Sequence, residues 1–167
     1  TALIGTKLSH NDFSGFEVQP SARIAWTPTE DLAGWAAVSR AVRVPSVIDH
    51  DVPFVDRYAD TGLLTGGPPS GSFVPLGISG DPAMDAEELL ALESGVRWRP
   101  HESLTIDAAG FWNDYDGLRV ISPFETNFVL GNNGRGTVWG GEVEVIWQPA
   151  SSWRLTGSWS LARVDVE

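Results

Sequence analysis

Between residues 16 and 27 the chain alternates with a period of two. Phe16, Val18, Ala22, Ile24 and Trp26 fall on one side of an extended backbone, and Glu17, Gln19, Ser21, Arg23 and Thr27 on the other. The pattern returns near the end, where Trp153, Leu155, Trp159 and Leu161 oppose Arg154, Thr156, Ser158 and Ser160. Val143, Val145 and Trp147 oppose Glu142 and Glu144 in the same way, and residues 104–115 repeat it more weakly. These segments predict strands near 2–9, 14–27, 32–43, 88–99, 104–119, 137–148 and 153–165. Residues 83–93 also fit the start of a helix, with Met84, Leu89, Leu90 and Leu92 beside Glu87 and Glu88. The two-residue period of Leu90, Leu92, Val96 and Trp98 favours a strand there. Strands of about 10 to 14 residues exceed the usual length in soluble sheets and suit a tilted crossing of a bilayer.

The turns give the strands an order. Trp-x-Pro recurs at Trp26-Thr27-Pro28, Trp98-Arg99-Pro100 and Trp147-Gln148-Pro149, each time before a short turn: 29–31, 101–103 and 150–152. The short turns therefore share one end of the sheet, and Trp26, Trp98, Trp147 and Trp153 gather there. Indole prefers an interface, its ring in lipid and its N–H among headgroups, so these four predict a lipid-facing girdle. The expected long connections, 11–14, 45–85 and 120–136, share the other end. Short turns at one end and long loops at the other predict an all-β fold: an antiparallel up-and-down meander of about seven strands, part of a transmembrane β-barrel. A soluble all-β binding module such as a sandwich also alternates, but it would not present Phe16, Val18, Ile24 and Trp26 outward in one row.

Composition narrows the function. The 167 residues include 8 Trp, 1 Met and no Cys, which excludes a disulfide framework and thiolate metal sites. A formal charge of -11, with only 11 scattered Lys and Arg, argues against nucleic acid as a partner. No apolar run reaches the roughly 18 to 20 residues of a membrane-spanning helix. Residues 1–10 lack the features of a signal peptide, so the chain is expected to begin within a longer protein.

At residues 35–46, WAAVSRAVRVPS, the sequence resembles a barrel strand of TonB-dependent outer-membrane receptors. Glu93-Ser94-Gly95-Val96-Arg97 resembles that family's Glu-x-Gly-aromatic-Arg strand, with Val96 in the aromatic position. Residues 111–119, FWNDYDGLR, resemble the next strand, and residues 136–142, GTVWGGE, resemble the start of the one after it. The four matches fall in order and span nearly the whole chain. The resemblance implies a barrel of about 22 strands in the bacterial outer membrane, with an N-terminal plug. Such a receptor binds a scarce nutrient, a ferric siderophore or similar iron chelate, and imports it with energy from the TonB complex. On this reading residues 1–167 are a partial barrel without plug, TonB box or terminal strand, with outer-membrane lipid as a partner and no enzymatic role. A passive outer-membrane porin is the nearest alternative.

No cofactor is implied by any motif. His10, His50 and His101 lack metal-ligand spacing, and no nucleophile or acid/base set emerges. The Gly-rich runs 66–71 and 131–136 do not match a phosphate loop, and turn chemistry is expected to explain both. Glu142 and Glu144 are expected on the lumen wall. Ligand contacts are expected from Arg40, Asn113, Tyr115 and Arg119, facing inward or sitting near the outer rim, because charged and aromatic groups at a pore mouth select solutes. The 45–85 connection carries His50, Phe54, Arg57, Tyr58 and Phe73 among Gly and Pro, and His50 and Tyr58 join the expected contacts.

Overall fold

The computed structural model describes residues 1–51, 54–124 and 127–167, with side chains omitted at 54–57, 75–76, 124 and 127. Nine strands form one sheet: β1 (Ala2–Asn11), β2 (Gly15–Thr29), β3 (Leu32–Arg43), β4 (Phe54–Asp60), β5 (Phe73–Ser79), β6 (Glu87–His101), β7 (Leu104–Phe124), β8 (Asn127–Ala150) and β9 (Trp153–Val166). Two four-residue helices, α1 (Val47–His50) and α2 (Thr61–Leu64), interrupt the connection between β3 and β6. The seven strands expected from the alternation are β1, β2, β3, β6, β7, β8 and β9, and each pairs antiparallel with the next in that series. Residues 87–93 are strand, as their two-residue period required.

Two expectations about the connections need correction, and the third, a long connection over 45–85, holds with structure inside it. Residues 120–124 and 127–136 are strand rather than loop: they extend β7 and β8, which are paired as far as Phe124 and Asn127. Ladder pairing with β7 holds Gly131 to Gly136 extended, and among the described residues the glycines with positive φ are Gly15, Gly66, Gly71 and Gly117. Second, the turn at 11–14 is short, because Asn11 Oδ1 accepts from the Phe13 and Ser14 amides at 2.9 and 2.8 Å. Third, the 45–85 connection is folded. Within it β4 and β5 form an antiparallel hairpin, and β5 then pairs parallel with β8 at Ile78–Phe128 and Ser79–Val129.

Register assigns every strand two faces. Trp26, Gly34, Val96, Ala108, Val143 and Trp159 are aligned across six strands, and the neighbouring row reads Ile24, Ala36, Ser94, Gly110, Gly141 and Leu161. This face is apolar. The opposite face carries the row Ala33, Arg97, Asp107, Glu144 and Ser158, and beside it Trp35, Gly95, Ala109, Glu142 and Ser160. Of the 8 Trp, all but Trp35 belong to the apolar face. Trp26, Trp98, Trp147 and Trp153 sit near the short turns as expected, and all four are exposed. Trp112 and Trp139 are direct cross-strand partners at the other margin of the same face.

Neither face is covered. Among the described residues the buried apolar side chains are Met84, Ala86 and Leu130, all at the long-connection end. The sheet itself therefore has no core of its own, and its apolar face leaves residues such as Ile24 and Trp159 about 60% exposed (58% and 62%). On the polar face a hollow of about 750 Å³ opens over Trp35, Arg97, Asp107, Glu142 and Glu144.

Trp35 lies over its register partner Gly95, so that a Cβ at Gly95 would meet the indole Nε1 at 2.6 Å. Gly157 has open space around it. Gly95→Ala is expected to displace the ring and destabilise the sheet by about 1 kcal/mol, the low end for overpacking. Gly157→Ala should cost less. Denaturant unfolding of the two variants of the intact protein, refolded into liposomes, measures the difference.

Candidate functional site

The long-connection end is where charged groups converge. Proline cannot continue a ladder, so β3 gives way at Pro45, and Ser46 begins α1 through a capping box. The Ser46 amide and hydroxyl donate to Asp49 Oδ2 at 2.9 and 2.8 Å, and the Asp49 amide returns a longer bond to Ser46 Oγ at 3.4 Å. That fold-back aims the Asp49 carboxylate into the rim of the sheet, where its side chain is fully buried (0% exposed).

Two arginines from non-adjacent strands meet it there. Arg119 Nη1, from the upper part of β7, donates to Asp49 Oδ1 at 2.8 Å, and Arg43 Nη2, at the end of β3, lies 3.6 Å from Oδ2. Glu87, at the start of the intervening β6, joins them: its Oε1 lies 2.6 Å from Arg43 Nη1 and accepts from the Arg119 amide at 3.0 Å. Arg43 and Glu87 are register partners on the polar face, so α1 is tied to the polar-face side of the rim. Burial opposes ionisation of Asp49, but the Ser46 and Arg119 bonds outweigh it and hold its pKa at about 2. A depressed carboxylate pKa stabilises the fold above the unfolded value near 4, and this contribution is lost only as pH falls towards 2. Near neutral pH the contact is therefore insensitive to acid.

The remaining connection is organised by a second buried carboxylate. Asp60 caps α2 and accepts from the amides of Ser70, Gly71 and Gly62, each at 2.8 Å, which lowers its pKa to about 2 despite desolvation. A Cβ at Gly62 would collide with the Pro68 carbonyl oxygen, so only glycine closes this knot. Where the connection returns, the Asp81 amide donates to the Asp49 carbonyl at 2.9 Å, and Gly80 packs against the Asp49 backbone.

The expected contact residues are distributed unevenly. Arg119 and His50 come together around α1. The His50 ring packs at a tilt of 51° against Phe13 of the β1–β2 turn, with centroids 5.2 Å apart, and its Nδ1 lies 2.8 Å from Asp51 Oδ1. Asn113 and Tyr115 lie half-buried on the polar face of β7, below the rim. Tyr58 is exposed on β4, and Phe73 is exposed on β5. The side chains of Phe54 and Arg57 lie outside the described residues.

Arg40 is aligned with Leu90 and so falls on the apolar face, at its upper margin rather than inward. It forms a forked pair with Glu88, at 3.1 Å and 2.5 Å. The β2–β3 ladder ends at Ser21 and Ser39, next to Pro20, and the Arg40 guanidinium reaches the Val18 carbonyl that this leaves free. Glu142 and Glu144 share the polar face, where the neighbouring Asp107 is paired with Arg97 at 2.6 Å. Sequence reasoning missed Arg43, Glu87 and the central role of Asp49. The Ser46-x-x-Asp49 spacing was the available signal.

The comparisons with known proteins agree with this architecture. The family described as TonB dependent receptor-like, beta-barrel matches residues 1–166. The siderophore receptor PirA from Pseudomonas aeruginosa is similar in structure at TM-score 0.76 and 18% identity, over 98% of this chain and 31% of that one. A variant of the ferric enterobactin receptor PfeA from Pseudomonas aeruginosa, in complex with enterobactin, aligns at TM-score 0.73 and 18% identity, over 96% of this chain and 24% of that one. The FrpB iron transporter from Neisseria meningitidis aligns at 0.65 and 16% identity, over 91% and 20%. No curated protein matches by sequence. The chain spans about a third or less of the length of these solved receptors. With the matched family covering all but its last residue, this chain belongs to the TonB-dependent receptors as a stretch of their β-barrel.

Proposed function

We propose that the chain is part of a bacterial outer-membrane receptor that captures a ferric siderophore or similar anionic chelate outside the cell. Import would draw on energy from the TonB complex, which engages parts of the receptor beyond these residues. One observation carries the reading: a sheet whose apolar face, bordered by Trp at both margins, is backed by a polar face that ends in a charged, folded connection. Trp139 and Trp147 lie eight residues apart on β8. That is about 27 Å of strand at about 3.4 Å per residue, shortened to about 21 Å by a tilt of about 40°. The span approaches the apolar band of about 25 Å in outer-membrane barrels. Outer-membrane lipid would cover the apolar face, and the polar face would line the barrel interior, with the short turns towards the periplasm and the long connection outside. The solved structures named above include receptors for siderophores and for ferric enterobactin, which supports an iron chelate as the substrate class over a passive pore.

Register also sets how depth matters. Val143 lies midway between Trp139 and Trp147, and Val145 lies one outward-facing position nearer the short turns. Val143→Arg is expected to cost roughly 2 to 4 kcal/mol of folding free energy in a bilayer, and Val145→Arg less. Ser158→Arg, on the polar face, should be tolerated. Folding yield of the intact receptor into liposomes measures all three, and equal yields would overturn the orientation. Deleting residues 52–79 from the intact receptor should leave the barrel folded but weaken chelate binding tenfold or more, about 1.4 kcal/mol. Affinity and uptake unchanged by that deletion would remove the connection from ligand capture.

A further inference from the structure

The 45–85 connection does more than link two neighbouring strands. It leaves β3 and returns as β6, which pair directly with each other, yet its own β5 pairs with β8. Phe128 and Val129 already pair with Pro123 and Ser122 of β7, so β5 occupies the opposite edge of β8. The connection therefore crosses the upper ends of β6 and β7 to reach that edge. It is a strap, fastened where it leaves the sheet by Asp49 and where it returns by the β5–β8 contact, with Gly80, next to the paired Ser79, against the Asp49 backbone.

The fastening at Asp49 has the form of an occupied anion site. A carboxylate sits, fully buried, against guanidinium groups from β3 and β7 that are themselves about half exposed (50% and 45%). Glu87 compensates Arg43, whereas Asp49 is the carboxylate within 4 Å of the Arg119 side chain among the described residues. Guanidinium binds carboxylate and phosphate oxygens alike, by charge-assisted hydrogen bonds. Asp49 competes with an incoming anion because it is tethered nearby, at high effective concentration, and because its Oδ2 also accepts from the Ser46 amide and hydroxyl. Moving Asp49 also moves the strap's return, because Gly80 and Asp81 are packed and hydrogen-bonded to the Asp49 backbone.

We propose that Arg119 and Arg43 form an anion-binding site at the mouth, that Asp49 occupies it when no ligand is bound, and that an anionic ligand displaces Asp49 and releases the strap. The chemical class is a polyanion with clustered carboxylate-like or phosphate-like oxygens. This deepens the receptor reading above and rests on it for the identity of the natural ligand.

The test uses the intact receptor in liposomes with inorganic pyrophosphate as probe, so that it does not depend on knowing the chelate. Asp49→Asn removes the tethered competitor and keeps both arginines. It should tighten pyrophosphate binding tenfold or more, and adding Arg119→Gln to that variant should abolish the gain. A second variant leaves Asp49 in place. Ile78→Cys with Phe128→Cys joins residues directly paired across the β5–β8 ladder, in a chain stretch that has no other Cys. Oxidised, it should hold the strap down and weaken pyrophosphate binding tenfold or more, and reduction should restore it. Unchanged affinity in Asp49→Asn, retention of its gain after Arg119→Gln, or indifference of the locked strap to reductant would each overturn the proposal. Pyrophosphate behaving as expected in a receptor whose chelate uptake survives deletion of 52–79 would instead count against the connection's role in capture, and leave the anion site standing.

Discussion

Everything in this structure depends on the backbone ladder. A sheet with two uncovered faces gains little from its own side chains packing together, and the strands are held by hydrogen bonds to their neighbours. Such a ladder is most valuable where water cannot compete for backbone groups, which is the situation inside a bilayer. The two faces then need two environments, and the period-two alternation keeps them apart without any core. Seven of the 8 Trp follow that division. The exception, Trp35, is accommodated on the polar face by a glycine beneath its ring.

This explains which parts were legible beforehand. Period two is a local property, so the faces of β2, β8 and β9 could be read from Ile24, Val143 and Trp159 without knowing any pairing. Trp-x-Pro likewise marked the short turns locally. Residues 131–136 misled because Gly and Asn are the usual turn residues, and here a ladder with β7 overrides that preference. The hairpin β4–β5 was hidden by its Gly and Pro content, and its partner β8 lies some 50 residues further on, from Ile78 to Phe128.

The charged rim was half visible for the same reason. Arg119 and His50 stood out as individual residues, but their convergence depends on the path of α1, which only the assembled fold fixes. Arg43 and Glu87 looked like ordinary strand ends and become important because they flank a buried carboxylate. Arg40 has the opposite history. It looked like a pore-mouth group, and register turns it to the other face, where it completes hydrogen bonding that Pro20 interrupts.

The crossing of the strap over β6 and β7 also imposes an order of events during folding. Its returning strand β5 cannot dock until β8 exists, and β8 is synthesised after the strap. Closing so long a loop is entropically costly and rewarded by only two ladder positions, so it belongs after the nearest-neighbour hairpins have formed. The barrel wall would thus assemble with its mouth uncovered, and the cover would settle last. A contact made last at small gain is also the first to open, so the strap should be among the earliest parts of the molecule to exchange its amide protons.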